Sequence, residues 1–569
     1  MAKSLKTCVI VEKAERASQG VPPLRNAAEA TVDTLVAHGV DTLYGVPGIH
    51  NDALFDALHG RRDFIRTIHA RHEQTTGYMA LGAALATGRP QVFAAVPGPG
   101  ILNASAALLT ATGMTAPVLA LAGQIPANRL ERGHGHLHEI RDQIGLLRHI
   151  TKDVQRITGP HEASERVARA IQTMRSGRPG PVALECAIDV WPASGHTPIV
   201  EPYAPIVPPV DFDAIERAAS ILGKAERPLI LVGGGAQDAS AEVRLIAEML
   251  EAPVGYYRRG NGVLPGSHRL SVNLPVAHRL WREADAVLAI GTRLYGQQSG
   301  WGVDDDLRIV RIDIDPEEPG RYRQPDCAIV ADAADALVAL AEALPRYNRS
   351  RTPRDLSGHR GWLAGRLGQL EPQMDFLRAI RSKLPEDGIF VDEVTQMGFA
   401  ARLALPVEGP RQFLSGGQQD NLGFGYGTAL GAKAACPGRP VLTIAGDGGF
   451  GYQAFELATA MKHNIGLVVV VFDDGAFGNV RRIQQQAYDG RMIADGLHNP
   501  DFVRFADSFG MRAERAETPE ALGAALSRAF REGGPTLIHV PVPAMPSIWD
   551  MIMLPRVRGR AEPAERLWP

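Results

Sequence analysis

Cysteine, unbalanced charge and long apolar runs are all scarce in this chain. Its four cysteines, Cys8, Cys186, Cys327 and Cys436, stand far apart with no CxxC pair, which argues against a disulfide framework and against a zinc knot. They read as reduced, mostly buried thiols. Against 63 Asp and Glu the chain sets 60 Lys and Arg, a formal net charge of -3. No basic stripe is long enough to neutralise a row of phosphates, so nucleic acid is not an expected partner. The longest apolar runs, such as Gly466 to Phe472, fall well below the roughly 20 residues that span a bilayer and read as buried parallel strands. Cys8 to Val11 is too short for a signal-peptide core and is followed at once by Glu12, Lys13 and Glu15. A soluble cytoplasmic protein with no membrane partner is expected.

What the chain does have is size. At 569 residues it exceeds the length at which one hydrophobic core keeps growing, which predicts three domains or four. Residues 1–24 lack periodicity and contain the break Gly20-Val21-Pro22-Pro23, so they read as a loose N-terminal extension. Over 25–190 short apolar strands alternate with Ala-rich helices. A helix is expected from Ala28 to His38, a strand near Thr42, a helix from Asn51, a strand from Gln91 to Val96, a helix from Asn103 and a strand from Pro117 to Ala122. That alternation is the βαβ pattern of a parallel sheet covered on both faces.

Prolines at 192, 198, 202, 205, 208 and 209 stiffen 191–209 into a linker. A second α/β unit follows over 210–345, with strands from Pro228 to Val232, Asp285 to Ile290 and Arg308 to Ile314. A polar break from Pro345 to Leu356 opens a second linker, 346–368. The third unit, 369–550, has strands from Gly388 to Asp392, Pro440 to Ala445, Gly466 to Phe472 and Thr536 to Pro541. The remainder, 551–569, is a charged, proline-bearing tail that is either mobile or closed over a site. The expected fold class is α/β, with three consecutive doubly wound parallel-sheet domains.

The strongest local signal lies in the third unit. One strand runs into Gly446-Asp447-Gly448-Gly449 at a helix start, and the next into Asp473-Asp474-Gly475-Ala476-Phe477. Carboxylates at the C-terminal ends of neighbouring parallel strands point into the crevice where such sheets bind ligands. Magnesium takes oxygen ligands and shares them with phosphates, and Gly448 and Gly449 let backbone N–H groups approach those phosphates. The pattern predicts a metal-bridged diphosphate site, although each piece alone also fits turn-forming Gly and Asp. A second signal is Arg71-His72-Glu73-Gln74, then a Gly/Ala-rich helix, Pro97-Gly98-Pro99-Gly100 and Gly123-Gln124; alone, Glu73 reads as a favourable acid in a helix's first turn. A third is Ser415-Gly416-Gly417 with Leu422-Gly423-Phe424-Gly425, which alone is a tight loop and a packing surface.

Asp474 stands 27 positions after Asp447, a spacing that resembles the GDG-x(n)-N motif of thiamine diphosphate enzymes. The other two signals extend the resemblance across nearly the whole chain to the acetolactate synthase large-subunit branch. It implies pyrimidine-binding, central and diphosphate-binding domains in that order. Thiamine diphosphate would be held by Glu73, Pro47, Pro97, Gln396, Gly417, Leu422, Gly446, Asp447, Gly448, Gly449, Ala476 and Phe477. Glu73 would hydrogen-bond the aminopyrimidine and favour its imino tautomer, and Leu422 would wedge the two rings into a V. Magnesium would be held by Asp447, the side chain at 474 and the carbonyl of Ala476. Asp474 stands where Asn is commonest, and an extra negative charge beside a diphosphate should weaken cofactor binding or raise its metal dependence.

The resemblance assigns catalysis to Glu73, Gln124, His50 and His138. Ile49, Phe477, Asn479 and Val480 are further candidates for the substrate pocket. The tract His134, His136, His138, Glu139 invites a metal reading, but acid–base or substrate contact is the expected role. Gly233-Gly234-Gly235 after a strand lacks the GxGxxG spacing. FAD or ADP in the central domain stays an open alternative, and flavin is not predicted.

The implied activity is carbon–carbon bond formation or cleavage on 2-oxo acids or 2-hydroxy ketones through an enamine. Its rivals are a 2-oxo acid decarboxylase, disfavoured because no adjacent His-His pair occurs, and a flavin-dependent oxidase. A non-catalytic nucleotide-binding or regulatory subunit is the rival from another class. Glu73 and Asp447 lie in different domains and, by resemblance, meet across a subunit interface. An obligate homodimer, paired into a homotetramer, is therefore expected, and a regulatory small subunit is left open.

Overall fold

The computed structural model describes residues 22–559. Among them three six-stranded, wholly parallel sheets follow one another along the chain. Their strands are near-continuous apolar runs, as burial on both faces requires; Val468–Asp473, Val-Val-Val-Val-Phe-Asp, is buried up to its last residue. In the first sheet the order is Arg66–His69, Thr42–Gly45, Gln91–Ala95, Val118–Gln124, Val182–Ala187, Asp153–Ile157. The central sheet runs Ser271–Asn273, Val254–Tyr256, Pro228–Val232, Ala286–Ile290, Arg308–Asp313, Cys327–Val330. The third runs Phe413–Leu414, Ile389–Val391, Val441–Gly446, Val468–Asp473, Thr536–Pro541, Arg512–Arg515.

Each sheet reverses its strand order near its middle, and a crevice opens at the C-terminal ends of the two strands that flank that reversal. In the first sheet these are Thr42–Gly45 and Gln91–Ala95, in the central one Pro228–Val232 and Ala286–Ile290, and in the third Ile389–Val391 and Val441–Gly446. The first and third sheets reverse again at one edge, where Val182–Ala187 lies inside Asp153–Ile157 and Thr536–Pro541 inside Arg512–Arg515. Glu73, Pro97, Leu422 and Gly446 to Gly449 sit on or beside α1 (Glu73–Thr87), α2 (Pro99–Gly113), α3 (Gly425–Ala435) and α4 (Asp447–Gly451), while Gln124 ends a strand and Gln396 opens the helix Gln396–Ala404. Helices α1 and α3 join the first and third domains and are buried on nearly every face, which explains their Gly/Ala composition. A Cβ at Gly82 would lie 2.6 Å from the carbonyl carbon of Thr428, and one at Gly431 would lie 2.5 Å from that of Met79.

Several boundaries differ from the sequence reading. Helix α2 starts at Pro99 rather than Asn103, because a proline fits the first turn of a helix, where its missing N–H costs nothing. Leu24, counted with the N-terminal extension, opens the strand Leu24–Asn26, which pairs antiparallel with Ser194–His196 inside the linker 191–209. Those three linker residues contain no proline and can donate to a ladder. The linker 346–368 contains the helix Ser357–Leu367, whose Trp362 lies under the Arg279 guanidinium at 4.5 Å. The described part of the tail docks on the central domain: Val557 N and Arg558 N both donate to Trp301 O, at 2.9 and 3.1 Å. Cys186 and Cys327 are buried free thiols and Cys436 is a half-buried one; Cys8 lies outside the described residues. No helix among the described residues is long and apolar enough to cross a membrane.

Candidate active site

The first crevice brings together Glu73, Pro47, Pro97, Gln124, His50 and His138. The loop after Thr42–Gly45 must pass close to the loop after Gln91–Ala95. A Cβ at Gly48 would sit 2.6 Å from Val96 Cγ1, and one at Gly100 would sit 2.7 Å from Val96 Cγ2 and 3.6 Å from Glu73 Oε1. Glu73 is the first residue of α1, capped by the His72 ring, and its Oε2 accepts from Asn103 Nδ2 of α2 at 3.0 Å. The backbone N–H groups of Arg71 and His72 donate to the Glu456 carboxylate of the third domain, which fixes the approach to Glu73.

The histidine tract crosses directly above the Pro97–Gly98 turn. Gly98 has φ +62, and a Cβ there would meet His138 O at 2.6 Å. The His138 ring stacks on His50 with centroids 5.1 Å apart. The Nδ1 atoms of both rings are buried without a hydrogen-bond partner among the described residues. Burial, with the neighbouring His138 adding to it, lowers the pKa of His50, which favours a neutral ring. Glu139 braces the loop by accepting from Gly133 N and His136 N at 3.1 and 2.8 Å. Among the described residues no three or more His, Cys, Asp or Glu are arranged to hold a metal ion. Gln124 is turned inward: its Nε2 donates to the buried Glu185 at 3.0 Å and its Oε1 accepts from Ile125 N.

The third-domain crevice holds the acids. Asp447 is the first residue of α4 and is 3 % exposed. Asn499 Nδ2 bridges Asp447 Oδ2 at 2.6 Å and Asp473 Oδ1 at 2.9 Å. Asp473 is further engaged by Gly475 N at 3.1 Å and by His539 Nε2 at 3.0 Å. Burial pushes the Asp447 carboxyl up to about 6 against the Asn499 hydrogen bond, and the charges of Asp473 and Asp474 push the same way. Burial raises Asp474 too, against the N–H of Ala476 and the charge of Arg481. Tight approach explains the glycines: a Cβ at Gly448 would strike the Phe477 ring at 2.6 Å, one at Gly446 would meet Thr395 Cγ2 at 3.0 Å, and one at Gly449 would meet the Glu393 carboxyl at 3.2 Å.

Glu393 is fully buried, accepts from Val394 N and Gly425 N, and is pushed up to about 7, mainly by burial. Gln396 Oε1 and Ser415 Oγ are buried without a partner among the described residues. Gly417 has φ +64, and its carbonyl accepts from Arg258 of the central domain. Leu422 is half-buried, three residues before α3 begins. Sequence reasoning missed Asp473, Asn499, His539, Glu393, Glu185 and Glu456. Only Asp473 carried a signal, as the other member of an acidic pair.

The central crevice opens into a cavity of about 930 Å³ lined by Gly233 to Gly235, Arg258, Arg259 and Arg293, and bordered by Ile552 to Leu554 of the tail. A Cβ at Gly233 would lie 2.8 Å from Thr292 Cα. Burial lowers Arg259 to about 10, helped by Arg411, Arg293 and Arg178 nearby; Asp238, Asp313, Glu318 and Asp332 line the same cavity.

Family models match the three domains in turn. Residues 25–146 match the N-terminal thiamine pyrophosphate-binding domain of thiamine pyrophosphate enzymes, 215–340 the central domain and 393–540 the C-terminal thiamine pyrophosphate-binding domain. The chain is 32% identical to a probable acetolactate synthase large subunit of Methanocaldococcus jannaschii, over 92% of this chain and 93% of that one. It is 31% identical to a probable 2-ketoarginine decarboxylase of Pseudomonas aeruginosa, over 90% and 93%. It is 30% identical to the acetolactate synthase isozyme 1 large subunit of Escherichia coli, over 94% and 98%.

Proposed function

The chain belongs to the thiamine pyrophosphate enzymes, on the branch that carries the acetolactate synthase large subunits, and on that premise we propose a magnesium-assisted carboligase or lyase acting on 2-oxo acids or 2-hydroxy ketones. The observation that carries this reading is the third-domain crevice. Asp447 and Asp474 are both pushed toward protonation by burial, and Asp447 also by the acids beside it, a charge excess that a divalent cation would relieve. Gly448 and Gly449 leave a cradle at a helix start with no room for a Cβ, suited to a phosphate. Asp447, Asp474 and the Ala476 carbonyl would hold the metal. Glycines 446, 448, 449 and 417, with Gln396, Leu422 and Phe477, would hold the cofactor's diphosphate and thiazolium side. Pro47, Pro97 and Glu73 would hold the pyrimidine. Bound thiamine diphosphate supplies a carbon nucleophile and an electron sink beside the substrate carbonyl.

The chain's own groups do the rest. Glu73 holds or gives up a proton at Oε1, the oxygen facing Gly100, while Asn103 fixes Oε2. His50 and His138, stacked beside the Pro97–Gly98 turn, would take and return a proton beside the substrate. The acids of the two half-sites belong to different domains, and pairing the first domain of one subunit with the third of another in a homodimer, itself doubled into a tetramer, would complete the site.

A 2-oxo acid decarboxylase is the second reading. It is favoured by the relative named for that activity and by the His50–His138 stack, a histidine pair that the fold makes from residues far apart in sequence. The central cavity, with Gly233 to Gly235 and Arg258, Arg259 and Arg293 in its lining, is where ADP or FAD would sit if either is bound. Incubation with thiamine diphosphate, magnesium and a panel of 2-oxo acids, with products identified by mass spectrometry, separates the two readings. Glu73→Gln should slow exchange of the thiazolium proton by orders of magnitude while cofactor affinity by calorimetry changes little. A wild-type chain that binds no thiamine diphosphate overturns the proposal.

A further inference from the structure

We propose that Glu185 is the positioning residue for the first-domain half of the site: one buried carboxylate whose hydrogen bonds hold Gln124 and Gln143, and through them set the turns on which His50 and His138 meet. The inference deepens the function proposed above and rests on it. Glu185 lies in the middle of the strand Val182–Ala187, opposite Ala122 on one side and Arg156 on the other, with no exposed surface. An acid there costs desolvation unless each oxygen is engaged, and both are. Oε1 accepts from Arg156 Nε at 2.6 Å. Oε2 accepts from Gln124 Nε2 at 3.0 Å and from Gln143 Nε2 at 2.8 Å.

The two glutamines carry this order to the site. Gln143 opens the helix Gln143–Ile150. Its Nε2 also donates to Gly123 O at 3.0 Å, and its Oε1 accepts from Gly98 N at 3.4 Å. Gln143 therefore ties the end of the Val118–Gln124 strand to the Pro97–Gly98 turn, and that turn touches His138 O. Pro97 Cδ and His50 Cβ would lie 3.0 and 3.1 Å from a Cβ at Gly123, so the strand end, the proline turn and the His50 loop close on one point. Of the expected catalytic residues Glu185 touches Gln124 alone, and it reaches His50 and His138 through the turns. It acts by fixing those residues.

Glu185→Gln tests this. An amide has one acceptor oxygen, and its NH2 must face either the Arg156 donor or the two glutamine donors, so at least one arm of the clamp opens whichever way it turns. Hydrogen exchange is the readout that needs no cofactor. In the Gln variant, protection of the amides of Gly98 and Ile125 should fall at least tenfold, with third-domain peptides unchanged. Gln143→Met, which removes the link to the Gly98 N–H and the link to Gly123 O while leaving Glu185 with Gln124 and Arg156, should expose Gly98 in the same way if the Gln variant folds poorly. Arg156→Lys keeps a charged donor and should leave exchange as in the wild type. On any 2-oxo acid the wild type turns over, kcat should fall about tenfold to a hundredfold with KM and thiamine diphosphate affinity nearly unchanged. Unchanged exchange at Gly98 and Ile125 in Glu185→Gln, or a loss spread evenly over the first domain, overturns the inference. Absence of turnover in the wild type with exchange behaving as described would overturn the proposed reaction and leave the clamp standing.

Discussion

Gly82→Ala sets helix propensity against packing, and the structure says which wins. Replacing a helical glycine with alanine should stabilise a helix by about 1 kcal/mol, because alanine loses less backbone entropy. At Gly82, however, the new Cβ would run into the carbonyl oxygen of Thr428 in α3 and lie 2.6 and 2.8 Å from that residue's carbonyl carbon and Cα. Carbon atoms pack comfortably at about 3.5 Å, so α1 and α3 must part by about 1 Å. The obstacle is backbone, and no side-chain rotation relieves it. Overpacking of this kind costs typically about 1–3 kcal/mol and at times more. The reciprocal contact at Gly431 opens with it, so a net destabilisation of about 2 kcal/mol is expected. For units of this size that lowers the melting transition by roughly 5 °C.

Gly361 is the control. It lies inside the exposed helix Ser357–Leu367 with nothing within 4 Å of its Cβ position, so Gly361→Ala should melt at or slightly above the wild type. Because α1 begins at Glu73 and α3 follows Leu422, Gly82→Ala should also reduce activity beyond its thermal effect. Scanning calorimetry of the three proteins decides the matter. A Gly82→Ala chain that melts no lower than Gly361→Ala would show that the interdomain helix contact is not what the Gly/Ala composition serves.

Two further outcomes rest on buried acids. Glu393 is pushed up to about 7 from the ordinary 4.5. Between those values the folded chain keeps a proton that the unfolded chain has lost, so stability falls as pH rises across that window, by about 3 kcal/mol in all. Glu393→Gln cannot ionise, and urea unfolding from pH 4.5 to 7 should show a flatter decline; an unchanged slope would place the burden elsewhere. Asn499→Ala removes the donor shared by Asp447 and Asp473 and should raise the magnesium concentration needed for half-maximal cofactor binding about tenfold by calorimetry, whereas equal requirements in the two proteins would exclude Asn499 from the metal environment.

Burial on both faces made much of the fold legible. Pro228–Val232 and Thr536–Pro541 fall where their apolar, β-branched runs predict, because a parallel strand between two helical layers needs nothing else from its side chains. The loops at Pro97–Gly100 and Gly446–Gly449 were legible for a related reason, since they lie at strand ends that flank a reversal of sheet order. Side-chain partnership was not. Glu185 reads in sequence as a lone acid in an apolar strand, and nothing nearby announces that Gln124, Gln143 and Arg156 converge on it from three other elements.

The adjacent acids at 473 and 474 show the same limit, and the structure separates them. Successive side chains at a strand end face opposite ways, so a one-residue ambiguity decides which carboxylate enters the crevice as a free ligand. Asp473 already has both oxygens engaged, by Asn499 and Gly475 on one side and His539 on the other. Asp474 is raised by burial against the Ala476 N–H and the Arg481 charge and keeps the greater capacity to accept a cation. This favours position 474 over 473 as the second metal ligand despite the missing asparagine. Asp473→Asn should then weaken the Asp473–His539 link while leaving metal-dependent cofactor binding largely intact, and Asp474→Ala should abolish it. If calorimetry with magnesium returns the opposite ranking, the metal sits on the other face of this strand end.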